Sequence, residues 1–205
     1  MPTSVILPTY FGPIDLLSKL VDAKSLTFEV CDNYQKQTYR TRQYIYGANG
    51  KLLLNIPIKH QKDLQKERQL MADVLIDNSF AWQKTHLKSL QIAYRTSPYY
   101  EFYEHDFEEL YSKEFTHLID FNLATWKCIL NLLELDLPFE KTKKYEASIK
   151  DSHDLRYLGV AKRKPIQTLN EYIQVFDAKH GFIPNLSILD LLFNEGPNTT
   201  AFLRS

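Results

Sequence analysis

The sequence predicts an α+β fold, with a β-rich N-terminal third followed by a helical region. Two observations support this prediction: alternation of apolar and polar residues is concentrated in the first third of the chain, and helical spacing of apolar residues dominates after Ser79. We expect a mixed or antiparallel sheet with a hairpin over residues 40–58. Because the strands precede the helices instead of alternating with them, a doubly wound α/β sheet fits less well. The 205 residues, 44% of them apolar, suffice for one domain spanning residues 1–205.

The first third contains one predicted helix and several predicted strands. Residues 13–24 carry apolar side chains at helical spacing, and Pro13 suits the first turn. Residues 26–31 alternate between apolar and polar side chains, which is typical of a strand. Residues 40–46 and 51–58 flank a glycine-containing turn, which predicts the hairpin. A further strand is expected over residues 71–76.

From Ser79 onward the pattern is mainly helical. Ser79 is a candidate N-cap for a helix over residues 80–95, and two more helices are expected after it. These two helices are expected over residues 99–112 and 114–135. An irregular connection rich in Lys and Arg follows over 138–166, then a short strand over 172–176. The last helix is expected over 186–193, capped by Asn185 or Ser187.

Composition excludes several classes of function. The 25 basic and 25 acidic residues balance, so we expect no general binding of nucleic acid. No signal peptide and no transmembrane segment is predicted, and Cys31 and Cys128 form no disulfide framework, which favours a cytoplasmic protein. The six histidines lack the spacing of metal ligands, and no glycine-rich phosphate motif is present. We therefore expect no metal and no cofactor; the oligomeric state is open.

The segment after the strand over residues 26–31 is the first candidate site. Asp32, Gln35 and Lys36 fall at the end of that strand, where binding groups are commonly presented, although a solvated turn explains them equally well. Arg40 and Arg42 share a face if the chain is extended there, and two guanidinium groups on one face suit a phosphate or carboxylate. The alternative for the two arginines is structural ion pairing.

Two helices supply the remaining candidates. Trp82 and His86 are four residues apart and share a helical face, so His86 is a candidate general base or simply part of a packed aromatic–histidine pair. Lys84 lies on another side of the same helix, which ends near Tyr94. Polar groups within an apolar helix must be hydrogen-bonded, either inside the fold or to a ligand. Residues of this kind are Asn122, Asp190 and Asn194.

Several segments, taken together and in order, resemble the WbqC-like protein family. They are Pro8–Pro13, Asp32–Arg42, Trp82–His86, Ala93–Tyr100, Leu118–Asn122 and Leu186–Pro197. The resemblance implies a product of a bacterial surface-polysaccharide gene cluster, O-antigen clusters among them. If the protein is an enzyme, the resemblance implies a transferase that adds glycine, or another acyl or amino-acyl group, to a nucleotide- or lipid-linked amino sugar. The activated donor is unknown. Compared with longer members of the family, residues 138–166 are abbreviated, which leaves the activity of this short form open.

The transferase hypothesis gives each candidate residue a role. His86 takes the proton from the attacking amine, and Asp32 or Asp190 orients it. The expected substrate-binding residues are Gln35, Lys36, Arg40, Arg42, Trp82, Lys84, Tyr94 and Asn194. The alternative is a non-catalytic ligand-binding or assembly protein of the same pathway, in which these residues form a polar core and a recognition surface.

Overall fold

The computed structural model describes residues 3–59, 69–149, 152–163 and 170–205. Its strands are β1 (Ser4–Ile6), β2 (Leu26–Phe28), β3 (Arg42–Gly47), β4 (Gly50–Asn55), β5 (Phe139–Lys141) and β6 (His153–Asp154). Four of them form one sheet in the order β5-β2-β1-β6, and β3 and β4 form a separate pair. The α+β fold class is therefore confirmed, and so is the antiparallel hairpin, in which Arg42 pairs with Asn55.

The four-stranded sheet differs from the expected one in direction, because its described pairs are all parallel. Val5 in β1 lies between Thr27 in β2 and Asp154 in β6. Both β5 and β6 come from the segment 138–166, which the sequence predicts to be irregular. Strands of two or three residues are too short for alternation to reveal them, and they are held by neighbours that are distant in sequence.

The helices are α1 (Ile14–Ser18), α2 (Trp82–Tyr94), α3 (Tyr100–Ser112), α4 (Leu118–Leu132), α5 (Asp177–His180), α6 (Ile188–Glu195) and α7 (Thr199–Arg204). The three central helices and α6 match the predicted segments, and Ser187 is the N-cap of α6, accepting a bond from the Leu189 amide. The prediction that Ser79 is the N-cap of α2 is wrong, since Ala81 immediately precedes α2 and the Ser79 hydroxyl bonds to Asp77.

Two predicted strands are absent from the described residues. The segment 71–76 begins with a short 3₁₀ helix, Met71–Asp73, and makes only single bridges from Leu75 and Ile76. Residues 172–176 are irregular. Some apolar side chains of each segment dock into the core without joining a sheet: Met71, Val74 and Tyr172 are buried, whereas Ile173 is 79% exposed. A short run rich in apolar residues therefore did not distinguish docking of an irregular segment from pairing in a sheet.

One face of the parallel sheet forms the core with the helices. Ile6, Leu26 and Phe28 are fully buried on this face, and the Phe28 ring lies 5.6 Å from that of Trp126 in α4. The helix α6 is the most deeply buried element, since every side chain from Ile188 to Phe193 is inaccessible to solvent. The N-terminal sheet and the C-terminal helix therefore share one core.

The strand order of the parallel sheet has a consequence for binding. Taken in chain order, its four strands are arranged third, second, first and fourth, so the direction of winding reverses between β1 and β6. In open parallel sheets, ligands bind outside the carboxyl ends of the strands at such a reversal. The segments that follow β1, β2 and β6 are therefore the ones to inspect for a site.

Candidate functional site

The segment between β2 and β3, residues 29–41 and called here the β2–β3 loop, contributes to three surface depressions, two of which contain site residues predicted from the sequence. The larger of these two has a volume of about 520 Å³ and lies between this loop, the end of β4 and the chain before α2. We call it the basic depression because two cations face one carboxylate in its lining. Its polar and aromatic lining residues include Tyr34, Lys36, Arg42, Asn55, Asp77 and Phe80.

The second depression has a volume of about 340 Å³ and lies at the carboxyl ends of the parallel strands. We call it the carboxyl-edge depression. Leu7 follows β1, Asp32 follows β2, and Asp154 ends β6, so the depression spans the reversal between β1 and β6. Its other polar and aromatic lining residues are Gln35, Tyr145, Arg156 and Tyr157.

Arg40 fixes the β2–β3 loop from the inside. Its guanidinium is fully buried, forms an ion pair with Asp32 and donates to the carbonyl oxygen of Asn33 at 3.4 Å. The carbonyl oxygen of Arg40 accepts a bond from Asn122 Nδ2 at 2.9 Å, and the same nitrogen donates to the Pro8 carbonyl at 2.8 Å. Asn122 thereby ties α4 to the loops that follow β1 and β2, which explains a polar residue on an apolar helical stripe.

The two arginines expected to form one clamp are separated. Arg40 is buried in the loop, whereas Arg42 is half-buried and lines the basic depression together with the exposed Lys36. The buried Nε of Arg42 has no hydrogen-bond partner among the described residues. Of the two guanidinium groups, Arg42 is therefore the one placed to meet a ligand.

Arg156 organises the carboxyl-edge depression. Its guanidinium donates to both oxygens of Asp154, at 2.9 and 2.7 Å, and reaches Glu29 at 3.3 Å. It also donates to the carbonyl oxygen of Glu146 at 2.8 Å, which holds the segment that carries Tyr145. The hydrogen bonds from Arg156 lower the pKa of the Asp154 carboxyl. Both charges are therefore present at neutral pH and rigidly placed.

His86 lies in a buried aromatic cluster. Its Nδ1 is 2.9 Å from the Tyr10 hydroxyl, which also hydrogen-bonds to Tyr111, and the Trp82 ring packs edge-on at 5.3 Å. Burial lowers the pKa of His86 to about 4, while a backbone hydrogen bond at Asn55 acts against the shift. The imidazole is neutral at pH 7 and makes its contacts inside the fold. Lys84, on the same helix, is exposed and lines neither depression.

Asp190 lies in a second internal network, between α2, the chain near Tyr172 and α6. The Tyr94 hydroxyl donates to one of its oxygens at 2.7 Å, and the Tyr172 hydroxyl and Gln174 Nε2 donate to the other at 2.5 and 2.9 Å. Burial raises the pKa of Asp190 despite these three donors. Asn194 is bonded to the Asp190 carbonyl oxygen at 2.7 Å.

The predicted site residues thus fall into three groups. Asp32 and Gln35 line the carboxyl-edge depression, Lys36 and Arg42 line the basic one, and the others are internal or exposed elsewhere. Within the described residues, no hydrogen bond joins His86 to Asp32, Arg42 or Asp190. The catalytic assignment of His86, Asp32 and Asp190 stays a prediction.

Four lining residues of the carboxyl-edge depression escaped the sequence reasoning: Tyr145, Asp154, Arg156 and Tyr157. All lie in the segment 138–166, whose lack of periodicity indicated only an exposed connection. The signal that might have found them was the presence of tyrosines among the basic residues of that segment. Their proximity to Asp32 depends on β5 and β6 joining the sheet.

The parallel sheet with a reversal of winding, and the depression at its carboxyl edge, define an α+β protein with a candidate binding site at that edge. The chain belongs to the WbqC-like protein family, whose sequence profile matches residues 8–169. The match ends before the closing segment Leu186–Pro197, so it does not extend to that part of the resemblance. Comparison with curated proteins and with solved structures gave no match.

Two searches of the described residues bear on partners. No helix in the described ranges combines the length and the apolar character needed to cross a membrane. In the same ranges, no three His, Cys, Asp or Glu side chains are grouped so that they could hold a metal ion.

Proposed function

We propose that the chain is a transferase of surface-polysaccharide biosynthesis that adds glycine, or another acyl or amino-acyl group, to an amino sugar linked through phosphate to a nucleotide or a lipid. Membership of the WbqC-like family supports the pathway. The observation that carries the proposal is the basic depression, where Lys36 and Arg42 line a cavity of about 520 Å³ beside the carboxyl edge of the sheet.

The lining of the basic depression suits a phosphate group. A guanidinium presents several donors in a plane and binds phosphate oxygens in pairs, whereas a lysine ammonium acts as a mobile point charge. Arg42 offers a buried Nε that no described residue accepts from, and Lys36 extends from the exposed part of the β2–β3 loop. Asp77, the acidic residue nearby, already accepts bonds from the Ser79 hydroxyl and amide at 2.7 and 3.1 Å.

The reaction requires attack of the sugar amine on the activated acyl carbon of the donor. An amide bond forms, the bond to the donor's leaving group breaks, and the amine loses a proton to a base. We keep His86 as the first candidate for this base. It contacts the backbone of Asn55, which lines the basic depression, so a shift of this wall would be needed to bring the imidazole to the substrate.

The test is incubation with a nucleotide-linked amino sugar, glycine and candidate activated donors, followed by mass measurement of the sugar. We expect a gain of one glycyl or acyl group. Replacing Arg42 or Lys36 with Ala removes a charge-assisted contact worth about 1.5–3 kcal/mol, so the Kd for the nucleotide-linked sugar should rise at least roughly tenfold. Lys88→Ala, on the exposed side of α2, is the matched control. Unchanged affinity in both depression variants would exclude phosphate binding there.

The second candidate is a non-catalytic binding or assembly protein. The observation in its favour is that the polar residues on the apolar helices, Asn122, Asp190 and Asn194, are hydrogen-bonded within the fold. This candidate predicts binding of the phosphorylated sugar that depends on Arg42, with no change in sugar mass for any donor. The same incubation therefore distinguishes the two candidates.

A further inference from the structure

We propose that the carboxyl-edge depression binds the ring of the amino sugar, with its ammonium group held by the acidic side and its apolar ring face against Tyr145 and Tyr157. The proposal rests on the proposed function for the identity of the substrate class. It adds a second half to the site and assigns a role to residues of the segment 138–166.

The position of the depression is the first argument. It lies where the order of the parallel strands reverses, and residues from the carboxyl ends of β1, β2 and β6 line it. Open sheets expose backbone and side-chain groups from several strands at this point, so ligands bind there. The volume of about 340 Å³ is at the small end of ligand pockets and suits a single sugar ring.

The second argument is the state of Asp32. This residue is only 7% exposed, yet it lines the depression, and its Oδ1 has no hydrogen-bond partner among the described residues. Its other oxygen is committed to Arg40. A buried carboxylate oxygen without a donor is costly, and a donor from a ligand in the depression would relieve that cost.

The third argument is the charge of the lining. The charged side chains that line the depression are Asp32, Asp154 and Arg156. Arg156 donates to both oxygens of Asp154, whereas Arg40 pairs with only one oxygen of Asp32. The other oxygen of Asp32 accepts more strongly from an ammonium group than from a neutral hydroxyl, because charge-assisted hydrogen bonds are roughly twice as strong. A cationic ligand group is therefore favoured over a neutral one.

The aromatic lining is the fourth argument. Tyr145 and Tyr157 are 54% and 46% exposed, and an arginine guanidinium lies over each ring: Arg156 at 5.6 Å from the Tyr145 centroid and Arg163 at 5.7 Å from the Tyr157 centroid. The exposed part of each ring can pack against the apolar face of a sugar ring. Gln35, exposed at the rim, adds an amide that can bond to hydroxyl groups.

The two depressions border the same loop, since Gln35 lines the carboxyl-edge depression and the next residue, Lys36, lines the basic one. The inference requires that a sugar 1-phosphate, in which phosphate and ring are directly bonded, extends across the rim that these two residues form. The phosphate would bind to Lys36 and Arg42, and the ring with its amine would lie in the carboxyl-edge depression. This arrangement does not use His86 as the base, because His86 contacts Asn55 in the wall of the basic depression.

The experiment is calorimetric titration of the full chain at neutral pH with glucosamine 1-phosphate, N-acetylglucosamine 1-phosphate and glucose 1-phosphate. We expect glucosamine 1-phosphate to bind at least tenfold more tightly than the other two. Tyr145→Leu and Tyr157→Leu, at exposed positions, should each weaken binding several-fold, and Asp32→Asn should reduce the preference for the amine. Phe102→Leu, an exposed aromatic residue on α3, is the matched control.

Each outcome separates the inference from the proposed function. Equal affinity for all three probes, with loss in Arg42→Ala, would overturn the amine site while leaving the phosphate site intact. A preference for the amine without any transfer reaction would support the inference and refute the transferase. Failure of all three probes to bind would overturn both. The tyrosine variants keep the test valid if Asp32→Asn does not fold, because their side chains are exposed.

Discussion

His86 shows how burial changes the chemistry of a single side chain in this protein. An exposed histidine titrates near pH 6.5, but the aromatic surroundings of His86 lower its pKa to about 4. Between these two values the unfolded chain binds a proton that the folded chain excludes. Folding stability must therefore decline as the pH falls through this window, and the loss ends below the folded-state pKa.

We predict that His86→Gln reduces this dependence on acid. The difference between the pKa values corresponds to a loss on the order of 3 kcal/mol in the wild-type protein between pH 6.5 and 4. Urea unfolding at several pH values, for wild type and variant, measures it. Asp190, whose raised pKa acts in the opposite direction, is present in both proteins and cancels in the comparison.

His105→Gln provides the control for the histidine prediction, because His105 is exposed on α3. This variant makes the same substitution outside the buried aromatic cluster, so the comparison isolates the effect of that cluster. If the His86→Gln and wild-type curves ran parallel between pH 4 and 6.5, the imidazole would be titrating normally and the buried network would be incorrect. Such a result would also make His86 a more accessible base for the proposed reaction.

At the scale of elements, the junction between α6 and α7 restricts which residue can stand at position 196. Gly196 has a φ of +53°, a region that glycine adopts readily and other residues do not. A Cβ atom at this position would lie 2.5 Å from two ring atoms of Tyr99. The junction needs glycine both for its backbone conformation and for the close approach of the aromatic ring.

We predict that Gly196→Ala destabilises the protein by about 3 kcal/mol, from the strained backbone and from overpacking against Tyr99. Thermal or urea unfolding measures the change. Gly181→Ala is the matched control, since Gly181 also has a positive φ, of +72°, but a Cβ there would meet nothing within 4 Å. Equal losses in the two variants would show that the Tyr99 contact contributes nothing.

Elements differed in how far the sequence predicted them. The long helices α2, α3 and α4 were predicted almost to their ends, because each buries a stripe of side chains that recurs at helical spacing. The strands β5 and β6 were not predicted, because two or three residues carry no period. Ser79 has the chemistry of a cap, but its hydroxyl bonds to Asp77 and leaves the start of α2 uncapped by a side chain.

At the scale of the whole molecule, the C-terminal segment completes the core. The family match ends at residue 169, but α6 buries Ile188, Leu191 and Phe193 completely. The amide of Ile14 in α1 donates to the carbonyl oxygen of Leu186 at 3.0 Å, and the Ser187 amide donates to that of Tyr44 at 2.7 Å. The matched part of the chain therefore depends on residues outside the match.

We predict that a chain ending at residue 169 does not fold cooperatively. Removing α6 takes away five fully buried apolar side chains, Ile188, Leu189, Leu191, Leu192 and Phe193. At roughly 1.5–3 kcal/mol for each, the loss is comparable with the whole net stability of a typical domain. Thermal unfolding followed by circular dichroism measures this. Removal of Arg204 and Ser205 alone, both exposed, should preserve the transition. A sharp transition in the chain of residues 1–169 would show that the core does not need α6.

The sequence by itself determined the α+β class, the hairpin, the long helices and the family, because helical periodicity and short motifs are local properties of the chain. It also identified Asp32, Gln35 and Lys36 at the end of a strand and Arg42 as a candidate for binding an anion, and the structure places these four residues around two depressions.

Only the tertiary structure decided which polar residues face a ligand and which satisfy one another inside the fold. Arg40 and Arg42 are two residues apart, yet one is sealed against Asp32 and the other lines a cavity. Asp190 and His86 resemble catalytic groups in the sequence and are enclosed by tyrosines in the fold. Burial and pairing decide whether each of these groups can meet a ligand, and the sequence does not show them because the partner of each group lies on an element distant in the chain.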